Sequence, residues 1–167
     1  MSQLIDSIVT GNLEKLKIIL DENPKLLEDD NIEGLTPFFF ACKNKRMEIA
    51  EALKNYGANI NFQDISGRTA LFWLCKKKYL PEAEALLKLG VDVNISDNNE
   101  STPLQLAAWS DDIHWASLLI EHGANINQAD DAGRTPLHFA CQNVNEDMVR
   151  LLVRSGASLS VSDLVSV

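Results

Sequence analysis

A threonine-led tripeptide returns along this chain at a fixed interval. Thr36-Pro37-Phe38, Thr69-Ala70-Leu71, Thr102-Pro103-Leu104 and Thr135-Pro136-Leu137 are spaced 33, 33 and 33 residues apart. A period of that size constrains the fold more than composition does. It means that one supersecondary unit, too small to bury its own apolar face, is stacked on copies of itself. The fullest copy, Gly133 to Ala140, shows what each position does. Gly133 suits a turn that needs positive φ. Thr135 caps a helix by accepting a bond from an orphan backbone N–H. Pro136 takes the first helical position, where its missing N–H costs nothing. Leu137 and Ala140 are three apart, so both face one side of the new helix.

The unit also carries a stop signal. Gly57, Gly90, Gly123 and Gly156 recur 33 apart, and glycine just past a helix takes the left-handed conformation that closes it. Each is followed by Ala58-Asn59-Ile60-Asn61, Val91-Asp92-Val93-Asn94, Ala124-Asn125-Ile126-Asn127 or the weaker Ala157-Ser158-Leu159-Ser160, and then by Asp64, Asp97, Asp130 or Asp163. The spacing predicts a first helix from Pro37 to about Asn44 and a longer second helix from Met47 to Tyr56, repeated in each unit. Residues 3–22 read as two short helices around Thr10-Gly11-Asn12, ended by Asn23-Pro24, with Glu28-Asp29-Asp30-Asn31 as a loop. This stretch lacks the Thr-Pro-Leu start, as expected of a terminal cap with a polar outer face.

Gly-x-Thr-Pro-Leu-His-x-Ala, followed by a second helix and Gly-Ala-Asn-Ile-Asn, resembles the ankyrin repeat. The resemblance covers a cap (residues 1–32) and four full repeats (33–65, 66–98, 99–131 and 132–164), taken as a single domain over residues 1–167. It implies an all-α ankyrin-repeat solenoid of stacked antiparallel helix pairs with β-hairpin-like fingers, first helices lining a concave face, and protein partners bound through both. Several positions depart from the pattern. His138 alone matches the signature histidine, with Phe39, Phe72 and Gln105 in its place elsewhere, so the bonds it makes between repeats are expected to be missing in those three. Glu100 replaces the turn glycine, and that finger is expected to bend differently. Lys54 and Glu82 fall at apolar positions of the second helix and are expected to reach solvent. Ser162 to Val167 stand where another finger begins, without a polar cap. That pattern fits an adapted last repeat, a fragment or isoform of a larger multidomain protein (an enzyme among the options), or an end covered by another molecule, self-association included.

Composition narrows the function. A net charge of −9 argues against nucleic acid, whose binding rests on Lys and Arg meeting phosphates. The charge is uneven: residues 99–131 sum to −6, residues 1–32 to −4 and residues 66–98 to +1. No apolar run approaches a membrane span, and the amino terminus lacks signal-peptide character. A soluble monomer of the cytoplasm or nucleus is expected. Cys42, Cys75 and Cys141 share one repeat position and read as small buried residues in a reducing compartment. No CxxC or His/Cys cluster suggests zinc. Asp97-Asn98-Asn99-Glu100-Ser101 lacks the glycine and closing glutamate of a calcium loop. His114, His122 and His138 have no catalytic partners in register. No cofactor, metal or enzymatic activity is expected.

The binding reading has more material. Phe40, Trp73, Leu106 and Phe139 form one column on the first helices, and Lys43, Lys76, Trp109 and Gln142 form another. Large apolar residues are usually buried, so the first column reads either as packing or as a groove with Trp73 as anchor. An aromatic in the second, otherwise polar column is the more informative exception. Lys43, Lys45, Arg46 and Lys76 to Lys78 make a basic rim, against Asp111 and Asp112 beside Trp109; such charges orient a partner and speed its arrival. Finger residues Ile32, Leu35, Gln63, Ile65, Arg68, Asn98, Ser101 and Arg134 are further candidates by family position. The resemblance also implies a regulatory role: Asn94, with Asp92-Val93 before it and Leu86 eight residues earlier, matches the context of asparagines hydroxylated in ankyrin fingers.

Overall fold

A computed structural model of the chain describes residues 2–29 and 34–159. The described residues form ten α-helices in five consecutive pairs, and the fold class is all-α. The pairs are α1 (Ser2–Thr10) with α2 (Leu13–Glu22), α3 (Pro37–Lys43) with α4 (Met47–Asn55), α5 (Ala70–Lys77) with α6 (Leu80–Lys88), α7 (Pro103–Trp109) with α8 (Ile113–Glu121), and α9 (Pro136–Gln142) with α10 (Glu146–Arg154). A 3₁₀ turn, Pro24–Glu28, follows α2. The sequence reading ends the second helix at Asn23-Pro24 and assigns no element before the loop at Glu28, but Pro24 is well placed at the first position of a short helical turn. Ile32 and the segment from Ser160 onward lie outside the described residues.

The chain divides into two compact units, Met1–Val91 and Asp92–Val167. In the first, α3 packs against α1, α4 and α5, and α6 against both α4 and α5. Its core holds Leu4, Leu16, Phe38, Leu53, Leu71 and Leu86, all essentially inaccessible. In the second, α7 packs against α8 and α9, while α10 packs against α8 and α9. Leu104, Trp115, Leu119, Leu137, Met148 and Leu152 fill its core. Every helix has ten residues or fewer, too short to be stable alone in water. Burial between neighbours therefore supplies what propensity cannot.

The start signal works as its residue types require. Thr36, Thr69 and Thr102 are buried, and their hydroxyls accept from the N–H of Phe39 (3.4 Å), Phe72 (3.2 Å) and Gln105 (3.2 Å). The recurring aspartate has a local job too. Asp64 Oδ1 accepts from the N–H of Ser66 (2.8 Å) and Arg68 (2.9 Å), and Asp130 Oδ1 from those of Ala132 (3.1 Å) and Arg134 (2.8 Å). Asp97 does the same with Asn99 (3.0 Å) and Ser101 (3.1 Å). Its carboxylate therefore shapes a turn.

Two expectations are corrected here. The finger holding Glu100 does not bend differently. Glu100 takes φ 58°, in the same left-handed region as Gly67 and Gly133 at 74° and 76°. Its N–H donates to the Asp97 carbonyl at 2.9 Å, as Gly67 and Gly133 donate to Asp64 and Asp130. The bonds of the turn override the side chain's preference, at a cost of about 1 kcal/mol. Nor are all three cysteines buried. Cys42 and Cys75 are, but Cys141 is exposed: among the described residues no further helix pair packs on α9 as α9 packs on α7, where Ala108 is buried. Burial also holds the Cys42 thiol well above its ordinary pKa, which keeps it protonated and unreactive. Glu82 differs more mildly. Its side chain is mostly covered and pairs with Lys45 at 3.6 Å, so it does not simply reach solvent.

Two measurements check these points. Replacing Glu100 by Gly should raise stability by about 1 kcal/mol, or about 2–4 °C in melting temperature, seen by circular dichroism. A thiol reagent should titrate Cys141 alone in the native protein and reach Cys42 and Cys75 only after unfolding.

Candidate protein-binding surface

The fingers are held by side-chain amides that reach from one repeat to the next. Asn94 Nδ2 donates to the Gly123 carbonyl (3.2 Å) and its Oδ1 accepts from the Asn125 N–H (2.7 Å). Asn127 repeats the pattern with Gly156 (3.1 Å) and Ser158 (2.7 Å). In the first unit Glu28, 33 residues before Asn61, plays the acceptor part: its Oε1 takes the Asn59 N–H at 2.7 Å. The cap therefore shares the finger register. Asn94, the residue in hydroxylation context, has both ends of its amide engaged. An enzyme acting on that side chain has to wait for the finger to open locally.

Gln105 overturns an expectation. Its Oε1 accepts from the Thr102 N–H (2.6 Å), which closes a capping box. Its Nε2 donates to the carbonyls of Gln128 (3.0 Å), at the end of its own repeat, and of Arg134 (2.6 Å) in the following repeat. The amide thus makes the inter-repeat bonds that were expected to be missing without histidine, since one terminus accepts while the other donates twice. His138 keeps the capping half of the job: its Nδ1 accepts from the Thr135 N–H at 3.0 Å. That places its proton on Nε2, which is buried without a partner among the described residues. The positions 33 residues beyond Gln128 and Arg134 are Val161 and Val167, outside the described residues.

A groove of about 310 Å³ opens on the first unit, lined by Gly34, Leu35, Phe39, Lys43, Asp64, Ile65 and Trp73. Leu35 and Phe39 are buried and form its floor. Trp73 is half-buried, and Ile65 stands 96% exposed on the finger. The Trp73 ring meets Tyr79 edge-on at 5.9 Å. Lys77 Nζ lies 5.8 Å from the Trp73 centroid and Lys45 Nζ 3.4 Å from that of Tyr79. Two lysines thus flank a pair of aromatics whose Trp73 lines the groove, with Lys76 exposed nearby in sequence. Cation–aromatic contact restrains these long side chains, and Lys45 is further paired with Glu82.

The consecutive helix pairs and the finger-to-finger bonds are the features of a repeat scaffold. A family model described as ankyrin repeats (3 copies) matches residues 4–97 and again residues 82–163. The chain belongs to the ankyrin-repeat family. Ankyrin repeats generally mediate protein–protein interaction and are typically noncatalytic. No helix among the described residues is long and apolar enough to cross a membrane.

The remaining candidates of this ankyrin chain separate by exposure. Phe40 and Phe139 are buried, so the first column is mainly packing, with Trp73 and Leu106 half-exposed. Leu35, expected on a wet turn, is also buried, because it forms part of the groove floor. Arg134 is bound to Asp130 Oδ2 (2.9 Å from Nε) and lies 4.9 Å from the Phe139 ring. Arg68 is half-buried, with Nε lacking a partner among the described residues. Lys43 is half-buried, whereas Lys77 and Asp111 are exposed and Asp112 is half-buried. Trp109 is 62% exposed, as its polar column suggests. Phe39 and Tyr79 were missed. Phe39 was counted only as a failed signature position, and nothing in one-dimensional spacing pairs Tyr79 with Trp73.

Replacing Gln105 by Leu strands the Thr102 N–H and the Gln128 carbonyl and takes one of two donors from the Arg134 carbonyl, and should cost about 2–4 kcal/mol in urea unfolding. Gln105→His should recover most of that loss, because an imidazole also offers one acceptor and one donor.

Proposed function

We propose that this chain is a noncatalytic adaptor that binds another protein through the groove of its first unit. The partner seats an apolar side chain between Ile65 and Trp73 over Phe39, and lays acidic residues along Lys43, Lys76 and Lys77. Ile65 carries this reading. An isoleucine 96% exposed at the mouth of an aromatic-floored groove contributes nothing to the core, and apolar area of that kind gains free energy only when a partner covers it. Aromatic anchors beside such residues dominate interface energetics, while the lysines favour encounter and orientation. The finger carrying Ile65 is fixed by Asp64, whose Oδ1 accepts from the N–H of Ser66 and Arg68, so little ordering cost is incurred on binding. Cys42 and Cys75, buried and not joined in a disulfide, support a reducing site of action, the cytoplasm or nucleus.

The test compares proteins captured from cell extract by the wild type and by Ile65→Asp, Trp73→Ala and a Lys76–Lys78→Glu variant. Ile65→Asp should reduce capture at least about tenfold while leaving the melting temperature nearly unchanged, because surface substitutions usually shift stability by under about 0.5 kcal/mol. The lysine reversal should slow association and weaken its salt dependence. An unchanged captured set across all three variants would rule the groove out.

A further inference from the structure

On the second unit, two turns joining first to second helices carry apolar side chains that have no core to fill. Trp109 ends α7 and is 62% exposed; Val144, between α9 and α10, is 87% exposed. The turns are tied side by side. Asn143 Nδ2 donates to the Trp109 carbonyl at 2.9 Å, and Asn145 Nδ2 to Asp111 Oδ1 at 2.5 Å. Val144 sits at φ 56°, where a β-branched residue is an outlier. The same turn position holds Lys45, Lys78 and Asp111 elsewhere, at 60°, 60° and 61°. A valine here neither packs nor suits the turn.

The surrounding charge is one-sided. Residues 92–167 contain eleven acids against three arginines and no lysine, a net charge of −8. Asp111, Asp112, Glu146 and Asp147 flank Trp109 and Val144 along the two turns, and the nearby Arg150 is bound to Glu146. Capping explains some of these acids: Asp112 accepts from the Trp115 N–H at 3.3 Å, and Glu146 and Asp147 lie in the first turn of α10, where the helix dipole favours them. It does not explain Trp109 or Val144.

We propose that this edge docks a Lys/Arg-rich segment of a protein partner. One cation stacks on the Trp109 indole, where cation–aromatic attraction is strongest. The aliphatic stem of a neighbouring Lys or Arg covers Val144, and the remaining charges face Asp111 and Asp147. The inference rests on the reading of the chain as a protein-binding module, but it uses the other unit and the opposite charge. A phosphate-bearing partner is disfavoured by the same acids.

The full chain is titrated with a fluorescently labelled octa-arginine peptide at about 0.15 M salt, where weak surface attraction is screened beyond about 8 Å. Trp109→Ala should weaken binding about tenfold. Val144→Asn should weaken it severalfold while raising the unfolding midpoint, because asparagine tolerates positive φ; a gain in stability with a loss of binding separates contact from misfolding. Asp111→Asn with Asp147→Asn should weaken it about tenfold, since the amide oxygen at 111 can still accept from Asn145. Neutralising the exposed Glu121 and Asp131 should change little. Equal losses from both neutralised pairs, or an unaffected Trp109→Ala, overturn the proposal in favour of diffuse attraction. So does sedimentation showing a dimer that the Asp111/Asp147 variant dissociates, which would make a second copy the occupant. Ile65→Asp should leave peptide binding intact, so failure here and failure of the groove reading are told apart.

Discussion

Short helices capped by threonine cannot stand alone, and the bonds that carry one repeat into the next are what the rest of this structure depends on. Gln105 spans its own cap, the Gln128 carbonyl at the end of its own repeat and the Arg134 carbonyl of the following one. Asn94 and Asn127 hold successive fingers by donating and accepting at once, at the protein surface. Gln105 satisfies the N–H of the buried Thr102, which would otherwise be left unpaired, a larger matter than the net worth of one hydrogen bond. Glu28 extends the scheme into the first unit with a carboxylate that only accepts, so the cap repeat is tied by half of the usual pair.

The scaffold is fixed by residues that recur, and the residues proposed for binding, Ile65 and Trp109, are not part of that framework. Ile65 and Trp109 are exposed where their described register mates are polar, and neither adds to a core. Their surroundings differ in sign. The groove in the first unit is flanked by lysines held over aromatic rings, whereas Trp109 and Val144 sit among carboxylates with the nearest arginine already paired. Two surfaces of opposite charge on one chain suit two differently charged segments better than one uniform ligand.

Much of the fold was legible in the sequence because its signals are local. The threonine caps, the proline at the first helical position and the glycine stops act within a few residues, and the helices begin and end within a residue or so of where these signals place them. Errors arose where hydrogen bonding or packing in the folded chain outweighed what the residue type suggests. Glu100 looked unsuited to a glycine turn, yet the turn's own bonds hold it at φ 58°. Gln105 looked like a lost histidine, yet it makes the inter-repeat bonds by different chemistry. Cys141 shares a register with two buried cysteines but lacks their covering.

The sequence by itself determined the period, the helix pairs, the family and which positions break the pattern. Those properties follow from cap and stop chemistry and from residue counting. Only the tertiary structure decided that Leu35 and Phe39 floor a groove, that Tyr79 meets Trp73, and that Val144 faces water in a strained turn. Repeat register places a residue on a helix, but exposure and contact depend on what the neighbouring repeat presents at the same height, and that is a property of packing.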